Sequence, residues 1–240
     1  MQREIYKYSA GSVACEGLVV RKANLAIPAP VVVLVHHWCG RDALMDSNAE
    51  RIANMGAIAF AADLYGGHTT AIERDACAAL MNPFIADRAM LRDRLRETVA
   101  AAQRIPGADG RKIVVIGYCF GGLCAIDCAR ANIPGVIGAA AFHGLFTPPN
   151  LGGQPPITAR VLALHGYDDP MAPPDAVLAF AKEMTAAGAR WELDAYGQTV
   201  HAFTNPQALD RAAGVHYDEL ACNRAYARVE GFLKECFGTP

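Results

Sequence analysis

The chain has 240 residues, of which 52% are hydrophobic and 19% charged, enough apolar material for a continuous core in one domain spanning 1–240. A formal charge of −2 gives no electrostatic footprint for nucleic acid or for an acidic membrane surface, which points to a small-molecule enzyme or to a protein partner. No apolar run approaches a membrane span, and the opening MQREIYKYSAG lacks the apolar core of a secretory leader. A cytoplasmic location with reduced thiols is therefore the expectation for the eight cysteines, Cys77, Cys128, Cys222 and Cys236 lying within apolar segments.

In chain order, Glu4–Tyr8 and Glu16–Arg21 alternate polar and apolar residues around Gly11 and Gly17, the pattern of a β-hairpin at a sheet edge. Short apolar runs follow at Val31–Val35, Ala57–Ala62, Ile113–Ile116, Val136–Phe142 and Val161–Leu164, as parallel strands covered on both faces require. Helical periodicity marks Ser47–Met55, Asp87–Arg104, Phe120–Arg130 and Pro174–Ala187. A strand at Trp191–Tyr196 and a helix near Tyr217–Phe237 complete the chain. This alternation predicts an α/β fold: a mostly parallel sheet of about eight strands, helices on both faces, and chemistry at the carboxyl ends of the strands. The Pro/Gly-rich segment Thr147–Ile157 is too short for a cap domain.

The strongest motif is Gly117-Tyr118-Cys119-Phe120-Gly121, running from a buried strand into a helix. It has the form of a nucleophile elbow with sulfur in the serine position. A sulfur at a helix N-terminus meets exposed N–H groups that favour its anionic form. Such a nucleophile needs a base and an orienting acid, ordered nucleophile, acid, histidine along the chain. Val161–Leu164 leads into His165-Gly166-Tyr167-Asp168-Asp169-Pro170, where Asp169 is the preferred acid over Asp168. His201 follows the last strand and is the expected base. The expected oxyanion donors are the backbone N–H groups of Phe120 and Trp38, the latter in the loop after Val31–His36. His36 and His37 are adjacent, so their side chains diverge and do not readily serve one metal ion. No metal site is expected.

These pieces, with Ala62-Asp63-Leu64-Tyr65-Gly66 and His201-Ala202-Phe203, resemble the dienelactone hydrolase family over nearly the whole chain. The resemblance implies a capless α/β-hydrolase fold with eight strands, a Cys-Asp-His triad, and cofactor-free hydrolysis of esters or lactones. Two positions depart from the family pattern. His37 stands where members that hydrolyse dienelactone carry a glutamate, and Asn205 stands where they carry an arginine for the substrate carboxylate. Loss of that cation argues against dienelactone itself. Expected pocket or thiol-partner residues are His37, Cys39, Tyr65, Phe84, His143, Phe146 and Phe203, with Phe142 read as core. An exposed sulfur beside an oxyanion hole also suits activated aryl esters and, through the similar P=O group, organophosphate triesters. Two other classes of function fit the sequence: a low-turnover binding protein, and a thiol redox protein with Cys39 as the resolving partner of Cys119.

Overall fold

A computed structural model describes residues 1–238. Its main sheet has eight strands: β1 (Gln2–Ala10), β2 (Val13–Arg21), β3 (Ala29–Val35), β4 (Ile58–Ala61), β5 (Ala108–Tyr118), β6 (Val136–Phe142), β7 (Arg160–Gly166) and β8 (Arg190–Tyr196). Their order is β1-β2-β4-β3-β5-β6-β7-β8. The β1–β2 hairpin forms one edge and joins β4 antiparallel, while all later pairings are parallel. Six helices complete the fold: α1 (Ala43–Ala53), α2 (Arg74–Ala86), α3 (Arg88–Gln103), α4 (Phe120–Arg130), α5 (Pro174–Ala186) and α6 (Glu219–Phe237). Among the described residues no helix is long and apolar enough to cross a membrane.

The period-2 geometry of the strands divides the core into two layers. Val31, Val33, Val35, Ile113 and Val115 face one side, packed with α3, α4 and α5 residues such as Leu95, Leu123 and Phe180. Val32, Leu34, Val114 and Ile116 face the other, against Met45 and Ile52 of α1 and Tyr226 and Phe232 of α6. Both faces of the central strands are dry, which accounts for their unbroken apolar runs.

Three expectations are corrected. Helix α1 begins at Ala43 rather than Ser47, because Asp42 caps it by accepting a 3.0 Å hydrogen bond from the Met45 N–H. Helix α2 is absent from the elements expected above; it contains Pro83 and buries only Cys77 and Phe84, too thin a face to give a periodic signal. Its Cys77 forms a disulfide with Cys39, so these two cysteines are not the reduced thiols expected. Cys39 is thereby occupied and is not a free resolving partner for Cys119. The remaining six cysteines are free.

Under the sheet, a buried polar hub fixes the strap that follows β6. Arg88 and Arg130 share the Asp127 carboxylate, and Arg130 also makes two hydrogen bonds to Glu183. Both arginines donate to the Thr147 carbonyl, and Arg130 reaches the Phe146 carbonyl at 2.8 Å.

Candidate active site

Strand β5 delivers Cys119 into a turn with φ 55° and ψ −116°, immediately before α4. That left-handed conformation is costly for a residue with a side chain and is held by its surroundings. The Cys119 N–H donates to the Phe142 carbonyl of β6 at 3.0 Å. Glycine is required on both sides: a Cβ on Gly117 would overlap the Gly121 carbonyl, and one on Gly121 would overlap the Val35 carbonyl. The strand–helix crossing is thus closed to any larger residue, and the half-buried sulfur is presented at the head of α4.

The acid comes from the turn after β7. Asp169 is 1% exposed, whereas Asp168 lies at the surface. The Asp169 N–H donates to the Gly166 carbonyl at 3.0 Å, and its Oδ1 accepts from the Met171 N–H at 2.8 Å. Oδ2 is left to accept from His201 Nδ1 at 2.7 Å. This settles which aspartate meets the histidine.

His201 is set by a small hairpin, β9 (Leu209–Asp210) and β10 (Val215–His216). Its N–H donates to the Gly214 carbonyl, and its carbonyl accepts from the His216 N–H, both at 3.0 Å. With Nδ1 donating to Asp169, Nε2 is buried and has no hydrogen bond of normal geometry among the described residues. Burial pulls the imidazole pKa down, but the negative charge available to the neighbouring Cys119 sulfur and the Asp169 carboxylate outweigh it. The result is a pKa raised to about 10. Cys119, His201 and Asp169 are therefore electrostatically joined.

His143 is also in the left-handed region, at φ 39°. Its ring lies 5.1 Å from that of His201, and Nε2 pairs with Thr204 Oγ1 at 2.8 Å. Burial, followed by the charge on His201, holds its pKa well below 6.5, so it stands as a neutral neighbour. Thr204 carries no sequence signal of its own.

The loop after β3 brings Trp38 beside the elbow. The Trp38 carbonyl accepts from Tyr65 Oη at 2.8 Å, while its N–H makes no hydrogen bond to the described residues. Phe120 is the first residue of α4, so its N–H has no carbonyl partner within the helix. His37 is fully engaged by its own loop: Nδ1 accepts from the Cys39 N–H at 3.2 Å, so Nε2 carries the proton donated to Asp42 at 3.0 Å. Asp42, missed as a site residue, is visible in the sequence only as a helix cap. The His36 ring is likewise committed, Nδ1 donating to the His37 carbonyl at 2.6 Å and Nε2 accepting from the Leu64 N–H at 3.2 Å.

Tyr65, Phe84 and Phe120 form an aromatic cluster next to the sulfur, with centroids 5.7 to 6.4 Å apart. Burial raises the Tyr65 pKa, and the nearby Cys124 and Cys119 add to that rise. The other two expected pocket aromatics lie elsewhere. Phe203 is wholly buried between Tyr196 and His143. Phe146 stacks on Phe180 at 4.6 Å and lines a cleft of about 440 Å³ with Arg88, Arg92 and Arg130, a cleft to which Cys119, Asp169 and His201 do not contribute.

Comparison with known proteins agrees with this architecture. The model of the dienelactone hydrolase family matches residues 15–237. An uncharacterised Caenorhabditis elegans protein is 34% identical over 61% of this chain and 94% of its own length. A Yersinia pestis protein provisionally named carboxymethylenebutenolidase is 30% identical over 73% of this chain and 69% of its own. The crystal structure of a dienelactone hydrolase-like promiscuous phosphotriesterase from metagenomic libraries superposes with a TM-score of 0.92, at 28% identity and 98% coverage of both chains. The chain belongs to the dienelactone hydrolase family, and it is an ester-hydrolysing enzyme with the α/β-hydrolase fold.

Proposed function

We propose that this enzyme hydrolyses small neutral esters and lactones by covalent catalysis at Cys119, with His201 as base and acid, Asp169 as orienter, and no metal or cofactor. The observation that carries this reading is the half-buried sulfur at a positive-φ elbow, set against an imidazole that Asp169 holds at 2.7 Å. The raised His201 pKa supports a protonated imidazole facing the sulfur, ready to protonate the leaving group.

In the first step the thiolate attacks the carbonyl carbon, and the developing oxyanion is met by the Phe120 and Trp38 N–H groups. Each such donor contributes roughly 3 kcal/mol to the transition state. His201 then gives its proton to the departing alkoxide, leaving an acyl thioester on Cys119 and a neutral imidazole. In the second step His201 takes a proton from water, the hydroxide attacks the thioester, and the acid leaves as the thiolate re-forms. His37, committed to Asp42 and the Cys39 N–H, shapes the loop that carries Trp38 rather than partnering the thiol.

The substrate class follows from charge. Asn205 Oδ1 accepts from the Gln207 N–H at 2.9 Å, so this position serves its own turn and supplies no cation for a carboxylate. Aromatic walls at Trp38, Tyr65 and Phe84 favour acyl or aryl groups instead. Triesters of phosphoric acid are a second reading, favoured by the overall likeness to a promiscuous phosphotriesterase. The thiolate would attack phosphorus with the P=O oxygen in the same donor pair.

The test is hydrolysis of a short-chain p-nitrophenyl ester and of a diethyl aryl phosphotriester, with excess chelator, by wild type, Cys119→Ala and His201→Ala. Chelator-resistant activity lost in both variants, with a trapped acyl-Cys119 adduct by mass spectrometry, is the expected result. Activity that survives Cys119→Ala, or that chelation of the wild type abolishes, would overturn it.

A further inference from the structure

The Cys39–Cys77 disulfide couples the oxyanion loop to a helix that has little else to hold it. Cys39 follows Trp38 directly and is half-buried, whereas Cys77 is wholly buried. Of the thirteen residues of α2, only Cys77 and Phe84 are buried, and its N-cap Glu73 makes no side-chain capping bond. The residues leading into α2 are largely exposed, Ile72 to 94%. Between the loop and this leading segment run two hydrogen bonds, the Ala71 N–H donating to the Cys39 carbonyl at 2.9 Å and His68 Nε2 donating to the Arg41 carbonyl at 3.0 Å. Phe84, the other anchor, stacks into the Tyr65–Phe120 cluster beside Cys119. One covalent bond therefore fixes both the peptide next to Trp38 and the aromatic wall of the site.

We infer that this disulfide is a thiol-exchange site, and that its reduction by a dithiol releases α2 and lowers ester hydrolysis. The inference rests on Trp38 being an oxyanion donor, as proposed above. An incoming thiolate attacks the Cys39 sulfur, the more accessible of the two. The S–S bond breaks, its electron pair leaves on the Cys77 sulfur, and that sulfur takes a proton. The second thiol of the reductant resolves the mixed disulfide and frees Cys39. Overall the dithiol loses two electrons and two protons to become a cyclic disulfide, and the protein gains them as two thiols. With the bridge open, α2 keeps the Phe84 stack and the packing of Met81, and the Trp38 peptide, still held by Tyr65 Oη, loses its nearest covalent cross-link. Misplacement of a catalytic group by about 1 Å costs up to ~100-fold in rate.

The experiment combines thiol titration of the denatured protein, amide hydrogen exchange across 66–86, and kcat/KM on a p-nitrophenyl ester, before and after a small dithiol. The six free cysteines should titrate in protein purified without reductant, and all eight after reduction. Reduction should speed exchange in α2 at least about tenfold while leaving β5 and α4 protected. It should lower kcat/KM by about 5- to 100-fold, and reoxidation should restore it. Cys77→Ser should match the reduced wild type and ignore the dithiol. Eight titratable thiols in the protein as purified, or an unchanged kcat/KM after full reduction, would overturn the inference. Failure of the triad would register separately, as activity retained by Cys119→Ala, and exchange in α2 would still judge the tether.

Discussion

Replacing Asp169 by asparagine changes one atom of the proposed triad and removes one charge. The side chain is 1% exposed and fixed at Oδ1 by the Met171 N–H, so the near-isosteric amide should fold in place. The wild-type His201 pKa of about 10 against 6.5 represents roughly 5 kcal/mol of preference for imidazolium. The Cys119 charge and the Asp169 carboxylate share it. The carboxylate is one of the two sources, so its loss should lower that pKa and move the alkaline limb to lower pH. The asparagine amide also offers Nδ1 a donor as readily as an acceptor, which favours the wrong tautomer. Together these effects should lower kcat/KM by ~10² to 10⁴-fold, the scale on which orienting acids act in such triads. The assay is kcat/KM against pH from about 5 to about 11, alongside the ultraviolet absorbance of the thiolate. An alkaline limb that does not move, or Asp168→Asn losing activity while Asp169→Asn keeps it, would refute the reasoning.

Linkage predicts opposite pH windows for two histidine sets. The folded-state pKa of His201 is raised, so its stabilisation is fully present below 6.5 and is lost as pH climbs through about 10; the melting temperature of wild type should fall more over that range than that of Asp169→Asn. Burial depresses His36 to about 4, so its neutral form stabilises the fold above 6.5. That contribution declines as pH falls from 6.5 to about 4, by roughly 3 kcal/mol for this group, and His36→Gln should flatten the acid limb of denaturant midpoints. Gly117→Ala should cost more than about 3 kcal/mol or prevent folding, because its Cβ meets backbone that cannot retreat; a urea midpoint within error of wild type would contradict the packing at the elbow. Asp127→Ala leaves buried Arg88 without its carboxylate, while Arg130 keeps Glu183, and should cost ~3–5 kcal/mol, read by chemical denaturation.

Much of this was legible in the chain. Buried parallel strands announce themselves as apolar runs, and the G-x-C-x-G elbow is spelled by close-approach sterics that the coordinates reproduce atom by atom. Asp169 and His201 follow Cys119 in the order that the elbow motif requires. What stayed hidden is long-range. The Cys39–Cys77 bridge spans 38 residues and joins a loop to a helix that lacks an apolar stripe, so no local pattern could reveal it. The engagement of His37 by Asp42, and of His143 by Thr204, likewise depends on side-chain directions that spacing does not specify. Phe146 and Phe203, expected as pocket walls, stand three and two residues from His143 and His201 in sequence. Their side chains pack into the core instead.

The grip of Arg88 and Arg130 on the Phe146 and Thr147 carbonyls has a further consequence for how the fold can be elaborated. It works as a mooring. Upstream of it, the chain is bound to the His143 turn and to the elbow; downstream, 148–156 runs in irregular conformation over the surface, with open space around Gly152 and Gly153. Length or sequence added beyond the mooring would be mechanically decoupled from the imidazole pair. This stretch is where a lid domain could be spliced to narrow the substrate range without re-tuning the nucleophile.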